Sequence, residues 1–434
     1  MKIFFLSLGC PKNLVDSEIL SALLQENGIE IIADSQQAEL ILISTCAFIR
    51  AAVEESIETI LELLQNKQPH QKIVVIGCLV ERYKAQLPPA LPEVDAWVGL
   101  KSLPYLPEWI KRDSLPKLSF KGPGWQASDY LKRIPSHPFM AYVKIAEGCL
   151  NRCTFCTIPQ IRGGLKSRPM EEIFIEVKKL VKQGIKEIVL VAHETTAYGL
   201  DIYGKPSLVS LIQMLERTDI SWIRILYTHP KRVLSLVEAF KSCPHLTPYI
   251  DVPIQHIDNQ VLKTMGRGMS EREIRETIDY LKKVLPDVKL RTTIMVGFPT
   301  ETEDAFKKLL SFIEKTEFDH LGVFEYSAEE ETAAFKLGDI PKEIKRQRLE
   351  TIMGVQQEIA RKKHKSYIGT KQTVFVDRLE EGYVAIGRTP WQAPEIDGEV
   401  YIVKGKALLG EIKEVKIVDA YDYDLVGEIV ENPL

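Results

Sequence analysis

Residues 142–156 read YVKIAEGCLNRCTFC, an apolar run that leads directly into three cysteines. Cys149, Cys153 and Cys156 are spaced C-x3-C-x2-C, so one tight loop offers three thiolates. Three thiolates can hold three irons of a 4Fe–4S cluster and leave the fourth iron open to a small ligand. A structural zinc site normally has four ligands, yet no fourth cysteine follows nearby and the nearest histidine, His137, precedes the strand. The pattern therefore favours an iron–sulfur cluster over zinc.

The same run opens a series of six strand-and-helix units between residues 140 and 330. Apolar runs alternate with stretches of helical spacing, and two capping boxes are predicted, Ser270 with Glu273 and Thr300 with Glu303. Successive βα units indicate a parallel (β/α) partial barrel, with its chemistry at the carboxyl ends of the strands. The cysteine loop belongs to that end. The predicted strands are 142–146, 188–192, 222–227, 249–254, 289–296 and 321–326.

Residues 1–112 also alternate between strand and helix, and they carry a second set of cysteines. Cys10, Cys46 and Cys78 each follow an apolar run and are about one βα unit apart. Because parallel strands end at one edge of a sheet, we expect the three side chains to meet there. Three unrelated buried cysteines are the alternative, but equal placement after three successive strands argues against it. The sequence thus predicts a second three-thiolate cluster with an open iron.

Four parts of the chain are predicted, of α/β class with a β-barrel at the end. They are an N-terminal parallel-sheet domain over 1–112, a linker over 113–134, a central partial barrel over 135–366 and a small β-barrel over 367–434. The linker is rich in Pro and Gly, and the last part shows short apolar runs broken by glycines. One long basic helix is predicted over 342–366.

Composition is that of an ordinary globular protein, with 56 Lys and Arg against 60 Asp and Glu and a net charge of −4. That balance excludes a strong basic field, and no apolar run approaches the ~18 residues of a membrane span. The N-terminus up to Cys10 faintly resembles a lipoprotein signal, but its apolar run is short, and a buried strand is the better interpretation. We therefore expect a cytoplasmic monomer with reduced cysteines, in which Cys243 is incidental.

Two cysteine triplets in this order, followed by a small β-barrel, resemble the methylthiotransferase family of radical SAM enzymes over nearly the whole chain. The resemblance rests on LGCPKN (8–13), STCAF (44–48), GC (77–78), 147–156, 158–159, 161–163, SRP (167–169), TTAYG (195–199), PIQH (253–256) and 291–302. It implies that S-adenosylmethionine chelates the open iron of the second triplet and is split to a deoxyadenosyl radical. It also implies that the first triplet's cluster supplies sulfur, and that the final barrel is a TRAM domain.

Within this family the chain is most similar to the members that modify ribosomal protein S-twelve. That similarity implies insertion of sulfur and a methyl group at the β-carbon of an aspartate in that protein, with S-adenosylmethionine as both methyl donor and radical source. The sequence identifies neither the electron donor nor the sulfur source, and it assigns no catalytic side chain.

The resemblance further implies six contacts to S-adenosylmethionine, and five of the six residues also have a simpler interpretation. An aromatic residue can anchor a loop, a threonine can cap a turn, and a glycine can permit close backbone approach. The chain has His193-Glu194 where the family usually has Gln-Asp, so this carboxylate must reach one methylene further. The glutamine and the arginine can equally be hydrogen-bonded residues of the barrel mouth. The six residues are Phe155, Glu194, Thr195, Gln255, Arg291 and Gly297.

A tRNA adenosine methylthiotransferase is the main alternative. From residue 367 onward 7 Lys and Arg accompany 13 Asp and Glu, whereas a domain that grips RNA should be basic. The acidic excess could favour binding of a basic ribosomal protein. Alternatively, it is only an acidic face exposed to solvent. The basic helix over 342–366 could meet RNA or only solvent. A non-catalytic iron–sulfur carrier and a zinc-stabilised RNA-binding module are further alternatives, which metal content would distinguish.

Overall fold

The computed structural model describes residues 1–431, so residues 432–434 of the predicted C-terminal barrel lie outside the described part. The chain begins with an all-parallel sheet whose strands are β1 (Lys2–Ser7), β2 (Glu30–Ile32), β3 (Leu40–Thr45), β4 (Lys72–Gly77), β5 (Ala96–Val98) and β6 (Leu118–Ser119). Their order is β2-β1-β3-β4-β5-β6. The run LILIST of β3 is buried at every position, because helices cover both faces of a parallel sheet.

Six helices accompany this sheet, and they are α1 (Pro11–Glu26), α2 (Arg50–Gln65), α3 (Cys78–Tyr83), α4 (Leu87–Ala90), α5 (Leu106–Lys111) and α6 (Ala127–Lys132). The helix α1 is buried on nearly every side, including polar residues such as Lys12, Asn13 and Asp16. It packs against both the first sheet and the central part of the chain. Its buried polar side chains therefore lie at the junction of two domains.

Residues 113–134, predicted as a linker, carry regular structure. The strand β6 extends the first sheet beyond β5, and α6 carries a capping box between Gln126 and Asp129. Arg133, directly after α6, is almost fully buried and donates to the Tyr142 carbonyl at 2.7 Å. The segment therefore packs as part of the fold.

The central part contains the predicted partial barrel of six parallel strands in chain order, split into two three-stranded sheets. The barrel strands are β7 (Met140–Lys144), β10 (Glu187–Val191), β11 (Trp222–Ile225), β12 (Tyr249–Asp251), β13 (Lys289–Val296) and β14 (His320–Glu325). Two short antiparallel strands, β8 (Ala146–Glu147) and β9 (Lys166–Ser167), flank the cysteine loop.

The helices of the central part are α7 (Ile158–Ile161), α8 (Met170–Lys182), α9 (Leu200–Tyr203), α10 (Leu208–Leu215), α11 (Val237–Ser242), α12 (Asn259–Met265), α13 (Glu271–Val284), α14 (Glu303–Thr316) and α15 (Lys342–Lys365). The capping box of Ser270 and Glu273 is confirmed at the start of α13. The one predicted from Thr300 is wrong: α14 begins at Glu303, and Thr302 is its cap, accepting from Ala305 N at 3.2 Å. Within residues 1–431 no helix is long and apolar enough to cross a membrane.

The C-terminal part is a closed five-stranded barrel, in the order β15-β16-β17-β19-β18, as predicted. Its strands are β15 (Lys371–Arg378), β16 (Ala385–Arg388), β17 (Val400–Lys404), β18 (Ile412–Ala420) and β19 (Leu425–Ile429). Residues 389–399, here called the plug loop, meet the amino ends of the central strands. Arg388 pairs with Glu187 at the start of β10 (2.9 Å), and Tyr249 at the start of β12 donates to Asp397 (2.7 Å). The plug loop thus closes the end of the partial barrel opposite the cysteine loop.

Candidate active site

The first three cysteines lie at the carboxyl ends of three adjacent strands. Cys10 follows β1 and caps α1, Cys46 follows β3 directly, and Cys78 is the first residue of α3 after β4. Since β1, β3 and β4 are neighbours in the sheet, the three side chains share one edge, close enough for their charges to interact. The structure therefore brings the predicted first triplet together.

Gly9 allows the turn after β1 to approach Cys46. Its φ is +102°, and a Cβ at this position would lie 2.7 Å from Asn13 Nδ2 and 3.0 Å from Cys46 Cβ. The Asn13 amide donates to the Thr45 carbonyl at 3.0 Å and so ties the turns after β1 and β3 together. A side chain at position 9 would push these turns apart.

The thiols of the first triplet differ in pKa. Burial alone would raise the pKa of Cys10, but the neighbouring cations Lys12 and Arg162 lower it below its ordinary value. Burial raises the pKa of Cys46, and it raises that of Cys78 to about 11. Cys10 is therefore the thiol most easily converted to the thiolate, which is the form that ligates metal.

The second triplet lies on the loop after β8. This loop crosses its own return segment at Gly148, whose φ is +63° and where a Cβ would lie 2.2 Å from the Gly164 carbonyl oxygen. Cys149 N donates to the Gly163 carbonyl at 3.2 Å, which fixes the start of the loop. Glycines at these positions therefore allow the three cysteines to follow within eight residues.

Cations and burial set the charge of the second triplet. Arg267 Nη1 donates to Cys153 Sγ at 3.4 Å. Burial raises the pKa of Cys149, and it raises that of Cys156 to about 12. The charges of the three thiols interact, so the structure also brings this triplet together.

Arg162 connects the two triplets. It follows the second triplet's loop by one short helix, and its Nη2 donates to Cys78 Sγ of the first triplet at 3.4 Å. Its Nη1 pairs with Asp16 at 2.9 Å and with Glu147 at 3.2 Å. A second link is the hydroxyl of Thr157, which donates to a carbonyl in the turn after Cys46 at 2.8 Å. The two cysteine sets therefore face each other across the junction of the two domains.

Glu194 lies beside the second triplet and is buried. Its carboxylate accepts from Arg232 at 2.8 Å, from Asn151 at 3.3 Å and from the Thr196 hydroxyl. Burial raises the pKa of Glu194, and these three donors partly oppose that rise. The carboxylate also interacts with the charge of Cys149. Glu194 therefore lies next to the second triplet, and its contact with a cofactor stays a prediction.

Phe155 and Thr195 both make structural contacts within the chain. The ring of Phe155 packs edge-on against Phe298, with centroids 6.5 Å apart. The Thr195 hydroxyl donates to the Leu226 carbonyl at 2.9 Å. The ring contact matches the interpretation of Phe155 as a loop anchor, whereas the Thr195 hydroxyl bonds to the segment after β11, a contact other than the predicted turn cap. The cofactor contacts of both residues stay predictions.

Gln255 and Gly297 both lie in left-handed backbone, at φ +70° and +73°. Within residues 1–431 the buried Oε1 of Gln255 has no hydrogen-bond partner, which leaves it able to accept from a ligand. A Cβ at Gly297 would lie 2.4 Å from Lys345 Cγ, so this glycine makes room for a lysine of α15.

Arg291 faces the opposite end of the partial barrel. It donates to Asp251 at 3.2 Å and to the Thr293 hydroxyl at 3.0 Å, and it lies 3.5 Å from Asp397 of the plug loop. These contacts join it to the C-terminal barrel, and they favour a structural role over the predicted cofactor contact.

The donor sets suit a cluster better than a single ion. Within the described part of the chain, no three His, Cys, Asp or Glu side chains converge closely enough to hold one metal ion. A 4Fe–4S cluster requires a different arrangement, because its thiolates bind separate irons. Two sets of three free thiols, each with an arginine that donates to one sulfur, fit that requirement.

Comparison with curated proteins places the chain in a family. It is 43 % identical over 441 residues to the ribosomal protein uS12 methylthiotransferase RimO of Citrifermentans bemidjiense, covering 99 % of this chain and 98 % of that protein. The protein of the same description from Carboxydothermus hydrogenoformans is 44 % identical over 438 residues and 100 % of both chains. The chain belongs to the family of ribosomal protein uS12 methylthiotransferases. The predicted methylthiotransferase membership is thereby confirmed.

Family models match three separate segments of the chain. An uncharacterized protein family, UPF0004, matches residues 2–99, the Radical SAM superfamily matches 143–313, and the TRAM domain matches 368–430. Among solved structures, the radical S-adenosylmethionine methyltransferase TsrM from Kitasatospora setae, with cobalamin and a [4Fe-4S] cluster bound, has a TM-score of 0.54 at 12 % identity, covering 77 % of this chain and 76 % of that one. Such a likeness shows the shared fold alone.

Several acidic residues of the C-terminal part pair with cations elsewhere in the same chain. Asp422 pairs with Arg361 of α15 at 2.7 Å, and Glu395 lies 3.3 Å from His137. Asp397 contacts Arg291. Part of the charge assigned to a basic partner thus holds the domains together.

Several functional candidates were not singled out from the sequence. Lys12, Asn13 and Arg162 lie within the family motifs, but no pattern shows that a charged side chain reaches into another domain. Arg267 and Arg232 approach the second triplet from loops far along the chain.

Proposed function

We propose that this protein methylthiolates the β-carbon of an aspartate in ribosomal protein uS12, in the cytoplasm. The observation that carries the proposal is the facing pair of cysteine triplets, joined by Arg162 from the loop of one triplet to Cys78 of the other. Full-length identity of 43–44 % to proteins described as uS12 methylthiotransferases supports it.

We assign one 4Fe–4S cluster to each triplet. A reduced cluster with S-adenosylmethionine bound supplies one-electron chemistry that removes a hydrogen atom, and the second triplet, in the radical SAM domain, would hold that cluster. Glu194 and Gln255 are the predicted cofactor contacts that we retain, because one lies beside Cys149 and the other carries an unpartnered buried oxygen among the described residues. Arg162 donates to Cys78 Sγ and Arg267 donates to Cys153 Sγ, so each triplet has one cation in contact with a sulfur.

The partly buried location of the two triplets serves the same reaction. Asn13 and Arg162 hold the first set of thiols at a fixed place relative to the second. Burial around the thiols limits access of water, which protects a reactive intermediate from side reactions. In the product, a methylthio group replaces one hydrogen of the aspartate β-carbon.

The test is a reaction of the anaerobically reconstituted protein with S-adenosylmethionine, dithionite and either purified uS12 or bulk tRNA. We expect mass spectrometry to find a methylthio group on one aspartate of uS12. Cys149→Ala should abolish cleavage of S-adenosylmethionine, whereas Cys46→Ala should retain cleavage and lose the product. Cys243→Ala, outside both triplets, is the matched control and should retain both. A methylthio group on tRNA adenosine and none on uS12 would refute the proposal.

A further inference from the structure

Lys12 is a buried cation without an acidic partner. It lies on the first turn of α1, two residues after Cys10, and only 6 % of its surface is exposed. Among residues 1–431 no Asp or Glu oxygen lies within ion-pair distance of its Nζ. The buried Lys345, by contrast, pairs with Asp339 at 2.5 Å. A buried ammonium with no carboxylate partner is costly, so its retention points to a ligand.

The charges around Lys12 leave one anion missing. Lys144 and Arg162 each contact both Asp16 and Glu147, so two cations already match these two carboxylates. Lys12 adds a third positive charge to the same buried region, where Tyr227 and the Cys10 thiol favour the charged ammonium and Arg162 repels it. A thiolate of the first triplet shares its charge with iron once it is a ligand. A further anion would complete the balance.

The ammonium of Lys12 faces the mouth of the partial barrel. It lies 3.8 Å from the ring centroid of Tyr227, which follows β11 and has a left-handed φ of +61°. His193 follows β10 nearby, and in the described part of the chain its buried Nδ1 has no hydrogen-bond partner. A strained non-glycine residue and an unpartnered buried polar atom are both typical of ligand sites.

We propose that Lys12 binds the side-chain carboxylate of the aspartate that is modified. This inference rests on the proposed function and adds the residue that recognises the charge of the substrate. It places the carboxylate between the two triplets, because Lys12 lies on the helix capped by Cys10 and contacts Tyr227 of the partial barrel.

The position suits the chemistry of the substrate. The β-carbon of aspartate is bonded directly to the carboxylate carbon, so a cation that fixes the carboxylate also fixes the carbon that reacts. Asparagine has the same shape without the charge, and it would leave Lys12 buried and unpaired. Lys12 therefore acts in specificity as well as in positioning.

The experiment measures binding of the reconstituted holoenzyme to purified uS12. The aspartate located by mass spectrometry is either kept or replaced with asparagine. The wild-type enzyme should bind the asparagine form about tenfold more weakly, or ~1.4 kcal/mol. Lys12→Met should bind both forms equally, and Lys12→Arg, which retains the charge, should restore the preference. Lys111→Met, at an exposed lysine of α5, is the control and should keep the wild-type preference.

Iron content and deoxyadenosine formation without uS12 are measured for every variant, so that loss of a cluster is distinguished from loss of the preference for aspartate. A Lys12→Met enzyme that keeps the tenfold preference overturns the inference, whether or not it loses iron. If Lys12→Met does not retain its iron, the test uses Lys12→Arg instead. Equal binding of the aspartate and asparagine forms by Lys12→Arg would also overturn the inference. If wild-type enzyme leaves no methylthio group on any aspartate of uS12, the proposed function itself fails, and the product assay reports that outcome separately.

Discussion

Replacing Glu187 with glutamine should break the ion-pair network between the partial barrel and the C-terminal barrel. Glu187 accepts from Arg224 Nε at 2.8 Å and from Arg388 Nη2 at 2.9 Å. Arg388 also pairs with Asp377 at 2.7 Å, so two carboxylates match two guanidinium groups. The substitution keeps the shape of the side chain and removes one charge. Among the described residues, Arg224 then has no acidic partner.

The expected loss is about 3–5 kcal/mol of the free energy of unfolding, because removing one partner leaves a charge buried and unpaired. The side chains of Glu187 and Arg224 are both 0 % exposed, so solvent screens neither charge. Burial alone would raise the pKa of Glu187, but Arg388 and Arg224 hold it below its ordinary value. This stabilisation is present above the unfolded-state pKa of about 4.3 and is lost as the pH falls below it toward the folded value.

Chemical denaturation of the reduced apoprotein at pH 7 and near pH 4 measures both effects, and the difference between variant and wild type should shrink at the lower pH. Glu414→Gln is the matched control, since Glu414 pairs with Lys371 at 2.7 Å while both side chains are more than half exposed. It should cost about 0.5 kcal/mol. If Glu187→Gln costs no more than this control, buried charge does not hold the C-terminal barrel against the partial barrel.

Three further predictions concern the C-terminal part and α15. Burial lowers the pKa of His364 to about 4. The contribution of the neutral ring to stability is therefore full above the unfolded-state pKa of about 6.5 and falls by about 2 kcal/mol by pH 5. His364→Phe should remove this part of the acid sensitivity, as measured by thermal unfolding at pH 5 and pH 7. Gly398→Ala would place a Cβ 1.6 Å from the Tyr423 carbonyl oxygen, and it should lower the free energy of unfolding by about 3 kcal/mol or unfold the barrel, as seen by circular dichroism. Gly354→Ala, in a helix with open space around the new methyl group, should instead raise the free energy of unfolding by about 0.5–1 kcal/mol.

The long strands and the helices between them could be predicted, because a strand that is buried on both faces consists of a continuous apolar run. The strands β2, β5 and β6 could not, since two or three residues carry no period. The sequence predicts Thr300 as the cap of α14, but Thr302, two residues later, caps the helix. Two candidate caps so close together can be distinguished only by the packing of the helix that follows.

The placement of the six cysteines could be predicted, because three of them follow neighbouring parallel strands and the other three share one short loop. The cations around them could not be assigned in the same way, because Lys12 and Arg162 act across the junction of two domains. Arg291 shows the converse: its motif predicts a cofactor contact, yet its charge is paired with Asp251 and approaches the plug loop. The local sequence identifies the type of each residue, but its contacts depend on how the domains are arranged.

Iron content of the reconstituted protein tests the two-cluster account most directly. Wild-type protein should bind about eight irons, and replacing Cys10, Cys46 and Cys78 with alanine should leave about four. The triple alanine variant of Cys149, Cys153 and Cys156 should also leave about four, with the remaining cluster still visible in its electronic spectrum. About four irons in wild type, unchanged when the first triplet is removed, would contradict the account.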